Sequence, residues 1–196
     1  MIQSIVIHNF KNIEDLQIPQ FKRVNLIVGK NSVGKSTILE ALAIYISGGD
    51  KNVLCSILNN RGLDLRGWKE DVEKNKECLL SLFRNREENY SRDYGILIGE
   101  NLQQAVTLRQ VYYDKVYDEA GGSIPRVRVF YEEDLDSTSV RDIPTGGVAV
   151  ASPKSGYLIR YERSLMPKEL KEECPIVRTW EFNHARDAMM FDNVSL

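Results

Sequence analysis

The 196-residue sequence predicts a mixed α/β fold: an α/β lobe over residues 1–90, then an antiparallel β-rich lobe over residues 91–182. Three observations predict it. Gly29 to Ser36 reads Gly-Lys-Asn-Ser-Val-Gly-Lys-Ser, between an apolar run and a helical pattern. The helical pattern places Ile38, Leu39, Leu42 and Ile46 on one face. Beyond about Tyr94 the pattern changes to strict alternation, broken by glycine- and proline-rich turns.

The first lobe opens on a strand around Ile5 and Ile7, followed by a second from Ile13 to Ile18 that stops at Pro19. Val24-Asn-Leu-Ile-Val28 is nearly continuous in apolar residues, which predicts a strand buried on both faces. A helix from Gly34 to about Ile46 follows, and Gly48 and Gly49 end it. Ser47-Gly-Gly-Asp50 is therefore a helix stop. A second helix is predicted from near Gly67, with Trp68, Val72, Leu79 and Phe83 on one face.

The second lobe alternates at Val106 and Leu108, at Val127, Val129 and Tyr131, and at Tyr157, Ile159 and Tyr161. Each pattern predicts a half-exposed strand. Turns are predicted at 121–125, at Pro144-Thr-Gly-Gly147 and at 152–156, giving hairpins in a meander. Asn193-Val-Ser-Leu196 has neither a helix stop nor a polar tail, and residues 183–196 read as the start of a segment leading into a second half.

Gly29 to Ser36 fits the phosphate-loop pattern GxxxxGK[ST], whose chance occurrence in a chain of this length is on the order of one in a hundred. The chemistry follows from the residue types. Gly29 and Gly34 allow the tight turn that aims backbone N–H groups at one point. The following helix contributes unpaired N–H donors and a partial positive charge. Lys35 is expected on the β- and γ-phosphates and the Ser36 hydroxyl on Mg²⁺. Thr37 is expected near the α-phosphate, while Lys30, Asn31, Ser32 and Val33 complete the loop. The expected ligand is ATP with Mg²⁺.

The flanks narrow the class. Upstream stand Ile5-Val-Ile-His-Asn-Phe-Lys-Asn-Ile13, Asp15-Leu-Gln-Ile18 and Val24 to Gly29; downstream is Ser36-Thr-Ile-Leu-Glu-Ala-Leu42. Residues 2–46 closely resemble the N-terminal part of the RecF/SMC/OLD branch of ABC-type ATPases. The resemblance implies the N-terminal lobe of a P-loop NTPase ABC head with an inserted antiparallel β-rich subdomain. It also implies that Phe10, Lys11 and Asn12 lie near the nucleotide, while the residues alone fit equally well a core Phe10 and a solvated Lys11. A head-to-head homodimer of the full-length protein is implied too, with DNA or an effector domain as its target.

Several expected parts are missing. No run of four apolar residues ends in Asp-Glu, as hydrolysis in this branch requires. Val127 to Glu133 and Gln110 to Asp114 come nearest, and both alternate like hairpin strands. The signature motif is absent, and residues 176–186 offer Asn183 and His184 but no glutamine. The chain alone is thus expected to bind ATP without turning it over. The alternatives are a GTPase, or a non-hydrolysing module in which nucleotide orders an interface. Asp64-Leu-Arg-Gly67 matches a GTPase switch, but no apolar strand leads into it, and Asn75-Lys-Glu-Cys78 lacks the aspartate that reads guanine.

A net charge of −2 gives no bulk attraction to nucleic acid or anionic membrane. Arg126, Arg128 and Arg160 are expected on a solvated strand face. Cys55, Cys78 and Cys174 have no metal-ligand spacing and read as reduced thiols. No apolar run reaches the ~20 residues of a membrane span, and the N-terminus lacks a signal-peptide pattern. A cytoplasmic protein with no membrane partner is expected.

Overall fold

A computed structural model describes residues 2–31, 33–60, 72–116, 126–137, 145–153, 156–161, 178–180 and 189–191. Its elements run β1 (Ile5–Phe10), β2 (Ile13–Ile18), α1 (Lys35–Ile46), α2 (Lys51–Asn59), α3 (Val72–Leu80), β3 (Ile96–Gly99), β4 (Val106–Val116), β5 (Arg126–Phe130), β6 (Thr145–Ala151), β7 (Gly156–Arg160), β8 (Arg178–Trp180) and β9 (Met189–Phe191). Among the described residues, all nine strands form one sheet in the order β2-β1-β3-β4-β6-β7-β8, with β5 between β4 and β9. Every pairing is antiparallel.

Strand β4 organises the sheet. Its residues 107–113 pair with β6, while Ile96–Ile98 of β3 and Phe130–Arg126 of β5 pair with its 106–108 and 112–116 stretches. Because β6 overlaps both stretches, β3 and β5 must share the opposite edge. Helix α1 packs on β1 and β3, with Ala41 and Ile44 fully buried. The core joins Ile5, Ile7 and Phe10 of β1 to Leu54 and Leu58 of α2, Leu79 of α3, and the inner residues of β3, β4, β6 and β7.

Helix α1 ends where the glycines predict. Ser47, Gly48 and Gly49 donate their N–H groups to Ala43, Tyr45 and Ile44, with positive φ at both glycines. The next helix, α2, is one the periodicity reading missed. Asp50 caps it by accepting from the N–H groups of Asn52 and Val53, and Leu54, Ile57 and Leu58 supply its buried face. The predicted helix from Gly67 corresponds to α3; Gly67 and Trp68 lie outside the described residues. Leu79 and Phe83 are buried, but Phe83 stands beyond the helix end.

Three expectations are corrected. Val24–Val28 is not a buried strand: Val24, Leu26 and Val28 are 84%, 85% and 75% exposed. The sheet is built without this segment, and its backbone forms no hydrogen bond among the described residues. Apolar character alone therefore does not bury it. Gly146 and Gly147 lie inside β6 and not in a turn. A Cβ on Gly146 would meet Tyr161 and Tyr90 at 2.7 Å, so glycine is what lets two aromatic rings close over the strand. Finally, β7 is buried on both faces. Arg160 is only 8% exposed, with its guanidinium 5.7 Å from the Tyr113 ring centre, so it does not join a solvated basic face.

Candidate phosphate-binding loop

The loop begins at Gly29 and closes on the N-terminus of α1. Gly34 caps the helix with φ 105°, a conformation that disfavours any residue with a Cβ. Its carbonyl accepts the first helical bond, from Ile38 N–H at 3.0 Å. No side chain caps the first turn, and no acidic residue lies within it. The turn thus presents N–H donors and a positive dipole end without protein anions to answer them.

Lys35 is the first residue of α1. Its ammonium folds back across the loop and donates to the carbonyl oxygens of Gly29 at 2.8 Å and Lys30 at 2.6 Å. The two ends of the motif are thereby brought together around one cation. Gly29, Lys30, Asn31 and Ser36 are exposed, and Val33 is 58% exposed, whereas Thr37 is buried. Ser32 lies outside the described residues.

The donor set suits a magnesium triphosphate. Among the described residues, no group of three or more His, Cys, Asp or Glu could hold a metal. A metal at the exposed Ser36 hydroxyl would take phosphate oxygens and water as its other ligands, as Mg²⁺ does in nucleotide sites.

The β1–β2 turn packs against this loop. Phe10 is fully buried, which makes it core and not a base-stacking surface. Lys11 is 9% exposed, and its ammonium donates to Glu40 of α1 at 2.7 Å. Asn12 accepts a hydrogen bond from the Thr37 hydroxyl at 3.0 Å. The sequence pointed to Lys11, Asn12 and Thr37 individually. Glu40 stands in the Ser36–Leu42 stretch, but nothing there marked it as the partner of Lys11, because a glutamate on a helix has no special periodicity.

One further carboxylate candidate, Glu133, is structural. Glu133 follows β5 and accepts from the Ser91 hydroxyl at 2.7 Å and from the Arg92 N–H, contacts that hold its carboxyl below the usual range. Asp114 lies within β4, antiparallel to β5. Asn75, the first residue of the NKxD-like stretch, is 6% exposed and donates from α3 to the Tyr161 carbonyl at 3.0 Å. That bond removes it from guanine recognition. The switch-like Asp64-Leu-Arg-Gly67 and residues 181–188, with Asn183 and His184, lie outside the described residues. Among the described residues, no helix is long and apolar enough to cross a membrane.

The model of the AAA ATPase domain family matches residues 1–171. A DNA replication and repair protein RecF of Clostridium botulinum is 30% identical over 134 residues, 68% of this chain and 33% of the relative. An ATP/GTP phosphatase of Helicobacter pylori is 43% identical over 58 residues, 30% of this chain and 15% of the relative. An uncharacterized protein of Methanocaldococcus jannaschii is 40% identical over 68 residues, 35% of this chain and 31% of the relative. The chain spans about a third or less of the length of these curated relatives. A solved structure from work on ATP-driven dimerization and DNA-stimulated activation of SMC ATPases covers 80% of this chain and 68% of its own, at 15% identity and a TM-score of 0.28. With the family model matching most of its length, the chain belongs to the AAA ATPase domain family.

Proposed function

We propose that Gly29–Thr37 binds the triphosphate of ATP together with Mg²⁺, and that the chain is the nucleotide-binding lobe of a RecF/SMC-like ATPase. One observation carries the reading: the Lys35 ammonium is held over the loop by the Gly29 and Lys30 carbonyls, beside the uncapped N-terminus of α1. A cation and a row of N–H donors converge where a polyanion would sit. Lys35 would pair with the outer phosphates, the loop amides would hold the inner ones, and Ser36 would contribute its hydroxyl to Mg²⁺. The metal would neutralise charge on the phosphates.

Hydrolysis needs further groups. The strands nearest to a water-activating Asp-Glu site are antiparallel, and Glu133 is held by Ser91 and Arg92. We therefore assign turnover to the complete ATPase, with residues supplied beyond the lobe described here. Nucleotide-dependent pairing of two heads and an action on DNA belong to this reading as extensions, in keeping with its likeness to RecF. The buried Asn75 weighs against the GTPase alternative.

Equilibrium binding of Mg-ATP and Mg-GTP to the purified chain, with a steady-state phosphate-release assay, tests the proposal. ATP should bind more tightly than GTP, and release should be negligible. Tighter GTP binding would overturn the nucleotide assignment; rapid steady-state hydrolysis would overturn the assignment of turnover to other residues.

A further inference from the structure

All the non-glycine residues with positive φ among the described residues fall at two touching turns. Asn9 (φ 53°) lies near the end of β1 and Lys11 (φ 55°) in the turn to β2, and Asn85 (φ 54°) and Arg86 (φ 56°) follow Phe83. The turns are joined by the Lys11 N–H bond to the Leu82 carbonyl at 2.9 Å and by the Phe10–Phe83 bridge. Such conformations persist only where the surroundings over-determine them, and they concentrate at functional sites. Here the anchors are the buried rings of Phe10 and Phe83 and the Lys11–Glu40 pair. The result is a rigid platform that carries Asn12 against the start of α1.

The Asn12 carboxamide spans the junction between phosphate loop and helix. Its oxygen accepts from Thr37 Oγ1 at 3.0 Å. Its nitrogen lies over Gly34, where an added Cβ would meet Asn12 Nδ2 at 3.0 Å. Thr37 is buried, and its hydroxyl is already used in this bond. From this geometry we infer that Asn12 is a positioning residue for the phosphate loop, acting through Thr37 and Gly34, and that the Thr37 hydroxyl serves the loop through Asn12, leaving Thr37 only its backbone N–H to offer the phosphates.

The inference rests on the reading of Gly29–Thr37 as a triphosphate site, so its test has two arms. In the first, Mg-ATP affinity is measured for Asn12→Ala, Thr37→Val, the double variant and Thr37→Ser. Loss of one neutral hydrogen bond that holds the loop should weaken binding roughly five- to tenfold in each of the first two. The double variant should be no weaker than the worse single one, because both remove the same contact. Thr37→Ser keeps the hydroxyl and should bind as the wild type does. Losses that multiply in the double variant, or wild-type affinity in Asn12→Ala, would overturn the inference.

The second arm uses no nucleotide. Amide hydrogen exchange is followed at Ile38, whose N–H bonds to Gly34, and at Leu54 of α2, whose N–H bonds to Asp50. Asn12→Ala and Thr37→Val should speed exchange at Ile38 roughly five- to tenfold and leave Leu54 unchanged. Equal acceleration at both sites would mean general destabilisation, and no change at Ile38 would mean no positioning role; either result overturns the inference. If the wild type binds no Mg-ATP, the nucleotide reading fails and this arm alone decides whether Asn12 positions the loop.

Discussion

Lys11 of the β1–β2 turn donates its ammonium to Glu40 of α1 at 2.7 Å, with side-chain exposures of 7% and 19%. The pair links the first hairpin to the helix that carries the phosphate loop. Removing one partner leaves a charge in a poorly solvated place, a loss of about 3 kcal/mol for a pair this buried. Glu40→Ala should therefore lower unfolding free energy by about that amount in a urea titration. Replacing both residues, as in Lys11→Met with Glu40→Leu, should cost less than Glu40→Ala alone.

Gly48 and Gly49 separate strain from packing. Both have positive φ, 65° and 78°. A Cβ on Gly48 would meet nothing closer than Ser152 Oγ at 3.9 Å, whereas one on Gly49 would meet Val106 Cγ1 at 2.9 Å and Val150 Cγ1 at 3.1 Å. Gly48→Ala should cost about 1 kcal/mol, the price of a left-handed alanine. Gly49→Ala should cost at least about 2 kcal/mol, since two packed valines must also move. Thermal midpoints of the two variants check the order.

How much of this was legible in the sequence depends on distance along the chain. Helix α1 and its glycine stop are local patterns, and the structure has them where the residues predict. Asp50 and the apolar spacing of α2 were equally local, and its cap could have been read from Gly49-Asp50 followed by Val53, Leu54, Ile57 and Leu58. The Asn12–Thr37 bond joins residues 25 apart and leaves no periodic trace. Nor does the pairing of β1 with β3, which sets Val6 beside Gly99. Val24–Val28 shows the opposite failure. Its composition says what such a strand needs, but burial is supplied by neighbours, and the described sheet runs elsewhere.

Asn75 gives a test of the nucleotide class by stability. Its buried amide bonds the Tyr161 carbonyl across 86 residues of sequence. Asn75→Ala leaves that carbonyl without its donor and should destabilise the fold by roughly 1–3 kcal/mol. Mg-ATP and Mg-GTP affinities, measured well below the melting temperature, should not change. Selective loss of GTP binding would instead point to guanine recognition.

Alkaline pH should weaken the fold. Burial pushes the Cys78 thiol from its ordinary 9.0 up to about 11. Burial also raises the Tyr157 phenol, with the charges of Cys55 and Asp50 adding to the effect; its hydroxyl donates to the Gly49 carbonyl. Both groups are held neutral in the folded state, so their contribution is complete below the unfolded pKa and is lost as pH rises through the folded one. For Cys78 the decline should run from about pH 9 to about pH 11. Urea titrations across that range should show falling stability, and Cys78→Ala should flatten part of the slope. With few thiolates at neutral pH, Cys78 should also react with a thiol reagent only after unfolding, behind the half-buried Cys55.

The central claim is that Lys35 and the loop it spans hold a nucleoside triphosphate. Calorimetric titration of Mg-ATP into the wild type and into Lys35→Ala tests it most directly. Losing a charge-assisted contact to phosphate removes about 2–3 kcal/mol, which is roughly 30- to 150-fold in Kd. Saturable one-site binding by the wild type, weakened by that factor in Lys35→Ala with the fold intact by circular dichroism, is the predicted result. Equal affinity in the two proteins, or no binding by the wild type, would contradict it.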